Sequence, residues 1–452
     1  MSDDLLIRFE QIEGAFEDPV EAATFARLWL QVGDRFLSRS VNRKTGARDY
    51  LKLPLYNLAT GIAENWWTLL YEPWRPEEAT PKRMARHHLD AFVTGFVFPS
   101  FGIWSAGEEA ITIETGRIHR FSRAPAREML PSEREVAARV SRAPAVSQRS
   151  LSQIELVDES RERVTVSRQQ LESQLFELVD TVLGWIESDG QSDPQLAERW
   201  AGVVRSLEDP EEHNYCTAAG RLGFDPYDPE TPDISVFAAE LPEDSFDDLC
   251  EAARFDELAR ASAWVSREQS TLDRAPVIDV SDFGKRPTID PRIPSYEAGY
   301  RDAIALRSKL LLDDDPRRAT RRLLGTAEVG QIDDAPPVVE GLLARGDTEI
   351  HARVAARSTA QWRFRECRAA YLGWNASPGD YPLLTTASTY RQQASRSFAA
   401  ELLCPADYLR HKVGNGALTS DQLNDIAGAL DCQPIIVEHQ ARNHNIPLRG
   451  FY

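Results

Sequence analysis

The histidines are the side chains of this chain best suited to hold a catalytic metal ion, and their spacing does not suit one. A helix presents two imidazoles to one ion when they are one turn apart, and a neighbouring glutamate then activates the bound water. His87 and His88 are adjacent, so on a helix they point about 100° apart. His439 and His444 are five residues apart, a poor match to one helical face. We therefore expect no bound metal. The eight histidines are His87, His88, His119, His213, His351, His411, His439 and His444.

A second group of residues that could bind a ligand lies in the N-terminal part of the chain. Trp66 and Trp67 are adjacent, and so are Arg86 and His87. Adjacent tryptophans point to different sides of a helix, so one could face a partner while the other is core. Since tryptophan is usually buried, the alternative is that both are core residues.

The stretch 395–405 carries the strongest motif, and it reads S-R-S-F-A-A-E-L-L-C-P. It closely resembles the A-N-x-F-A-A-E-L-L-M-P helix of the ImmA/IrrE-type zinc metallopeptidases. In that family the helix follows an H-E-x-x-H helix, and an acidic residue just before it supplies a third zinc ligand. Here Gln392-Gln393-Ala394 stands in the place of that acid. The resemblance implies a zincin-like domain whose third ligand is missing.

The resemblance covers residues 290–445 in the family's order and predicts a defined succession of helices and strands. The matching runs are a first helix at 294–307, a helix near 316–325, strands at 328–332, 338–345 and 349–355, the degenerate helix at 363–372, and closing helices at 418–430 and 435–443. Phe398, Leu402 and Leu403 are predicted to be core residues of the helix that ends at Cys404-Pro405.

The degenerate helix can be aligned with H-E-x-x-H in two ways. If Arg363-Phe364 matches the family's Arg-Phe, Arg368 falls on the first histidine, Ala369 on the glutamate and Leu372 on the second histidine. If the alignment is anchored on Glu366, Arg365 and Ala369 fall on the two histidines. We prefer the first alignment because it needs no gap. Arginine is always charged and offers no lone pair to a cation, so either alignment predicts that peptidase chemistry is lost.

The vacated metal site is therefore the candidate binding site of the C-terminal domain. Its residues are Arg365, Glu366, Arg368, Gln393 and Glu401. An arginine could replace the charge of the ion, so we predict that Arg368 points into the site and pairs with an acid or with Gln393. The alternative is that both arginines are solvated.

Charge and composition restrict the partners. The net charge is −19 with a pI near 5.0, which disfavours nucleic acid as a partner because phosphate neutralisation drives such binding. An arginine-rich stretch at 117–149 leaves a local basic patch as the exception. No apolar run approaches the ~20 residues that span a bilayer, so no membrane association is expected.

Five scattered cysteines without a C-x-x-C pair argue against a disulfide framework. The start of the chain shows no signal-peptide pattern, and these two features predict a cytoplasmic protein. Arginine-rich, lysine-poor usage suggests a bacterial source. No P-loop, dinucleotide fingerprint or G-x-S-x-G motif is present in the sequence, and we expect no cofactor.

We predict an α+β protein. Its expected regions are an N-terminal mixed α/β module at 1–125, a connector at 126–154, a helical region at 155–272, an extended linker at 273–293, and the zincin-like ImmA/IrrE-type domain at 294–446.

The leading functional hypothesis is a non-catalytic, peptidase-like component that binds a protein partner. The resemblance implies a place in phage defence or in the control of mobile elements. One alternative is a transcriptional regulator that binds DNA through 196–225 or 117–149. The other is an enzyme whose site lies around Trp66, Trp67, Arg86 and His87.

Overall fold

The chain combines helices with small, mostly antiparallel sheets, which confirms the expected α+β class. The computed structural model describes residues 5–42, 46–75, 80–116, 154–156, 162–310, 315–324, 330–332, 334–414 and 416–449. Among these residues, no helix has both the length and the apolar character needed to cross a bilayer. The chain divides into two units, Met1–Thr231 and Pro232–Tyr452.

In its described residues, unit 1 combines three small sheets with several helices. The strand orders are β1-β2-β3 with β6 on β2, β10-β8-β7, and β5-β4-β9. Its helices are α1 (Pro19–Ala23), α2 (Tyr56–Tyr71), α3 (Pro81–Arg86), α4 (Leu89–Phe92), α5 (Arg168–Ser188), α6 (Pro194–Glu208) and α7 (Pro210–Arg221). Its strands are β1 (Leu5–Gln11), β2 (Phe25–Val32), β3 (Arg35–Phe36), β4 (Ser40–Asn42), β5 (Gly46–Arg48), β6 (Leu51–Pro54), β7 (Phe101–Ser105), β8 (Ala110–Thr115), β9 (Ile154–Leu156) and β10 (Glu162–Ser167).

Asp-Pro pairs begin three helices of unit 1. The carboxylates of Asp18, Asp193 and Asp209 accept hydrogen bonds from backbone N–H groups in the first turns of α1, α6 and α7. The proline that follows each aspartate has no N–H to leave unsatisfied at a helix start. The sequence therefore marks these three helix starts directly.

Helix α2 is the centre of the core of unit 1. It packs against α5, α6, α7 and β7 and is apolar on most of its circumference, as expected for a helix enclosed by other elements. Trp66 and Trp67 are both buried, at 0% and 1% exposure, so the structure places both in the core. Gly220 of α7 lies against the backbone of Trp67, where a Cβ would come within 2.5 Å of the carbonyl oxygen.

Unit 2 contains one larger sheet, one pair of short strands and a set of helices. The strand order is β11-β14-β13-β15, with β12 parallel to β14, and a second pair joins β16 to β17. Its helices are α8 (Ser235–Ala238), α9 (Glu243–Ala252), α10 (Phe255–Gln269), α11 (Ser295–Lys309), α12 (Pro316–Leu324), α13 (Thr359–Asn375), α14 (Tyr390–Leu403), α15 (Ala406–Val413), α16 (Ser420–Leu430) and α17 (Pro434–Asn443). Its strands are β11 (Val277–Asp279), β12 (Gly330–Ile332), β13 (Val339–Arg345), β14 (Glu349–Ala355), β15 (Leu383–Thr385), β16 (Leu418–Thr419) and β17 (Leu448–Arg449).

Helix α14 lies at the centre of unit 2, between α11 and α13. The prediction that this helix is core is confirmed, since Phe398, Leu402 and Leu403 are exposed by 0%, 1% and 3%. Helix α11 approaches α14 closely at Gly299, where a Cβ would meet the Ala394 carbonyl oxygen at 2.2 Å. Only glycine permits this contact between the two backbones.

The two units divide the expected helical region 155–272. Helices α5 to α7 pack on α2 in unit 1, whereas α9 and α10 pack on the sheet of unit 2. The expected linker 273–293 includes β11, which adds to the sheet beside β14. The expected connector 126–154 lies outside the described residues except for its last residue, and the arginine-rich stretch 117–149 lies outside them entirely.

Candidate functional site

Helix α13 carries the two arginines that the sequence singles out. Ser358 caps the start of the helix, and its hydroxyl accepts a hydrogen bond from the Gln361 N–H at 3.2 Å. Its second half is buried, and it packs on β13 and β14. Arg365 and Arg368 are three residues apart, so both reach from the same helical face.

Arg368 is buried, with 1% of its side chain exposed, and it makes four hydrogen bonds. Its Nε donates to Ser395 Oγ at 3.0 Å, and its Nη1 donates to the Glu340 carboxylate. Its Nη2 donates to the Thr385 carbonyl oxygen at 3.1 Å and to Gln392 Oε1 at 2.8 Å. One guanidinium therefore joins α13 to α14, β13 and β15.

Glu340 of β13 is the acid that meets both arginines. Its Oε1 accepts from Arg365 Nη2 at 2.7 Å, while its Oε2 accepts from Arg368. Burial alone would raise the pKa of Glu340, but the positive charges of Arg368 and Arg365 outweigh burial and lower that pKa. Glu340 is therefore a carboxylate at neutral pH.

The side-chain amide of Gln392 pairs with the outer edge of β15. Its Oε1 accepts from the Thr385 N–H at 3.2 Å, and its Nε2 donates to the Leu383 carbonyl oxygen at 2.8 Å. A single side chain thus fills the hydrogen-bonding positions that a further strand would take.

Carboxylates of α9 accept hydrogen bonds from backbone N–H groups of β15 and of the residues just before it. Asp248 accepts from the Leu383 N–H at 2.8 Å, and Asp244 accepts from the Tyr381 N–H at 2.5 Å. Burial and the nearby Glu251 raise the pKa of Asp248. These bonds explain why α9 belongs to unit 2.

Arg368 was expected to pair with an acid or with Gln393, and it pairs with the acid Glu340 and not with Gln393. Gln392 accepts from Arg368 instead, and Gln393 is exposed, where it accepts from Ser295 Oγ at 3.2 Å. The physical reason is helical phase. Gln392 shares the inward face of α14 with Ser395, whereas the next residue is turned by about 100°.

Glu366 and Glu401 do not join the arginine site. Glu366 is buried, and burial raises its pKa to about 8, opposed only by the charge of Arg363. Glu401 accepts from Gln440 Nε2 at 2.8 Å, and burial raises its pKa to about 7 despite that bond. The acid that joins the site is therefore Glu340 instead.

Sequence reasoning missed Glu340, Gln392 and Ser395. A signal for Glu340 was present, because it is the only acid in β13 and lies among the apolar residues that precede the terminal Arg345. A charged residue enclosed by such a strand needs a buried partner of opposite charge.

The N-terminal candidates separate in the structure. Trp66 and Trp67 are core residues of α2, whereas Arg86 and His87 meet at Glu72. Arg86 Nη2 lies 2.6 Å from Glu72 Oε1, and His87 Nε2 lies 2.8 Å from Glu72 Oε2.

The Glu72 site is a buried ionic network. His87 Nδ1 also lies 2.8 Å from the Ile103 carbonyl oxygen, so both ring nitrogens face acceptors. Complete burial outweighs the effect of these acceptors and lowers the pKa of His87, which disfavours the charged imidazolium. Burial disfavours ionised Glu72, but the hydrogen bond from His87 and the charges of Arg86 and Arg83 lower its pKa to about 2. The negative charge of Glu72 is therefore balanced by Arg83 and Arg86 within the network.

A cavity of ≈ 540 Å³ lies beside Arg86 in unit 1. Lys82, Phe92, Phe224 and Asp228 are among its lining residues, and neither tryptophan of α2 nor His87 lines it. Arg86 is committed to Glu72 and to the Gly223 carbonyl oxygen at 2.9 Å. The N-terminal candidates therefore do not form one site.

The arginine site does not fit a zinc ion. The face of α13 presents Arg368 and Leu372, one turn apart, and neither side chain can donate a lone pair to a metal. Across the described residues, no group of three or more His, Cys, Asp or Glu side chains is arranged to hold a metal ion.

Comparison of the chain with family models, with characterised proteins and with solved structures finds no match.

Proposed function

We propose that unit 2 is a non-catalytic, peptidase-like domain that binds a segment of a partner protein. The observation that carries the proposal is the buried Arg368 network. In the gap-free alignment Arg368 falls on the first histidine of the resembling zinc peptidases. Its guanidinium is held by Glu340, Gln392, Ser395 and Thr385.

The order of elements in unit 2 supports the proposal. Helices α11 and α12, strands β12 to β14, helices α13 and α14, and closing helices α16 and α17 follow one another as the resemblance implies. Replacing an ion by a guanidinium keeps a positive charge between α13 and α14 while removing the Lewis acid. By the same resemblance, the partner belongs to a phage-defence or mobile-element control system.

Site-specific photo-cross-linking in the native host tests the proposal. A photoreactive residue in place of Gln393 is exposed on α14 beside the arginine site, and one in place of Asp180 is exposed on α5 as the matched control. We expect position 393, and not position 180, to capture a defined protein. Intact-mass measurement should show that the captured protein is uncleaved.

Two results would contradict the proposal. One is capture of the same proteins in equal amounts from both positions. The other is recovery of the captured protein as fragments cut at a defined bond.

A further inference from the structure

The arginine site of unit 2 contains more positive than negative charge. Arg365, Arg368 and a third arginine, Arg396 of α14, surround the single carboxylate of Glu340, and we call these four residues the guanidinium cluster. Among the described residues, Glu340 is the one acid that ion-pairs with this cluster. The excess is local, since the chain as a whole carries a net charge of −19.

Arg396 is the member of the cluster without an ion pair. Within the described part of the chain, its one hydrogen bond runs from Nη2 to the Thr385 carbonyl oxygen at 3.1 Å. The same oxygen accepts from Arg368 Nη2 at 3.1 Å, so two cationic groups converge on one carbonyl. Burial, opposed by Glu340, lowers the pKa of Arg396, as expected for a cation with too little negative charge nearby.

Arg396 is also the member best placed to meet a ligand. Arg368 is 1% exposed and its donors are committed, whereas Arg396 is only partly buried and makes one bond. A guanidinium presents its N–H groups in a planar fork that matches the two oxygens of a carboxylate.

We propose that the guanidinium cluster is an anion site, and that the protein segment bound by unit 2 presents an aspartate or glutamate carboxylate to Arg396. This inference rests on the proposed function and names the chemistry of the partner segment. The bound carboxylate supplies a negative charge that the cluster lacks. Glu340 already holds Arg365 and Arg368, so the incoming carboxylate pairs with Arg396.

Fluorescence anisotropy with a labelled hexaglutamate peptide and the full-length chain tests the inference. We expect hexaglutamate to bind and the neutral hexaglutamine peptide not to bind. Arg396→Gln should weaken hexaglutamate binding by about tenfold or more, because a charge-assisted pair is lost. The matched control is Arg318→Gln, which removes an exposed arginine of α12 and should leave the affinity within about twofold.

The variant Glu340→Gln should change the affinity for hexaglutamate in the opposite direction. It removes a nearby negative charge that repels an incoming carboxylate and should tighten hexaglutamate binding, whereas a purely structural role for Glu340 predicts no gain. Circular dichroism checks that each variant is folded.

Absence of hexaglutamate binding, or equal losses in Arg396→Gln and Arg318→Gln, would overturn the inference. So would displacement of the peptide by an equal concentration of inorganic phosphate, since that result assigns the site to small oxyanions.

The inference and the proposed function fail in different ways. If position 393 captures a partner and Arg396→Gln leaves the capture unchanged, the inference is refuted and the function stands. If Arg396-dependent hexaglutamate binding is found but no protein is captured, the function is refuted and the anion site stands.

Discussion

Gln392 accepts a hydrogen bond from Arg368 at 2.8 Å through the same side-chain oxygen that accepts from the Thr385 N–H. Its nitrogen meanwhile donates to the Leu383 carbonyl oxygen. One amide thereby links the buried guanidinium to the edge of the sheet. We therefore expect the hydrogen bond between Gln392 and Arg368 to stabilise the fold of unit 2 as well as the charge of Arg368.

Replacing Gln392 should destabilise unit 2. Gln392→Leu leaves the Thr385 N–H, the Leu383 carbonyl oxygen and one Arg368 donor without this partner, at about 1–3 kcal/mol for each group left unsatisfied. The midpoint of urea unfolding measures the loss. Gln393→Leu is the matched control, because its side chain is exposed and its partners, Ser295 Oγ and the Ser388 carbonyl oxygen, can bind water instead. It should cost clearly less, about 1 kcal/mol or less. Equal losses in the two variants would contradict the role of Gln392.

Much of the fold of unit 2 could be predicted because its signals are local. The helices at α11, α13, α14 and α17 and the strands at β13 and β14 follow runs of sequence that the resemblance marks in order. The hairpin of β7 and β8 in unit 1 is local in the same sense, because only the four residues 106–109 separate its paired strands.

The site could be predicted only in part because its partners are distant in sequence or depend on helical phase. Arg368 was recognised, but Glu340 is 28 residues away on another element. Whether Gln392 or Gln393 faces Arg368 depends on the helical phase of α14, which differs by about 100° between neighbouring residues. The packing of α11 and α13 on the inward face of α14 fixes that phase. The assignment of α9 to unit 2 depends on Asp244 and Asp248 reaching the backbone near β15.

The Leu402 side chain should be essential to the core of unit 2. Leu402→Asp places an unpaired charge where the native side chain is 1% exposed, so we expect a loss of several kcal/mol. Differential scanning calorimetry measures it, with Gln393→Asp on the exposed face of the same helix as control. An unchanged transition in Leu402→Asp would place α14 at the surface.

The purified chain should contain no stoichiometric zinc. The expectation follows from Arg368 and Leu372, which stand one turn apart on α13 and offer no lone pair to a metal. Elemental analysis after dialysis against a chelator checks it. About one zinc per chain surviving that dialysis would show that other residues form a metal site.

Unit 2 should lose stability as the pH rises from 4.5 to about 8, through the buried carboxyl of Glu366. Burial raises the folded-state pKa of Glu366 from 4.5 to about 8, so its contribution is complete below 4.5 and is lost as pH rises through the folded-state pKa. Urea midpoints measured across this range should fall in the wild type and fall less steeply in Glu366→Gln. Parallel curves for the two proteins would contradict the assignment.

The most direct test of the account is the urea unfolding of Arg368→Met. If the Arg368 guanidinium holds α13, α14, β13 and β15 together, removing it leaves Glu340 with one buried partner fewer and should cost unit 2 about 3–5 kcal/mol. Arg318→Met, at an exposed arginine, should cost about 0.5 kcal/mol or less. A urea midpoint for Arg368→Met that matches the wild type would contradict the claim that this arginine holds the elements of the site together.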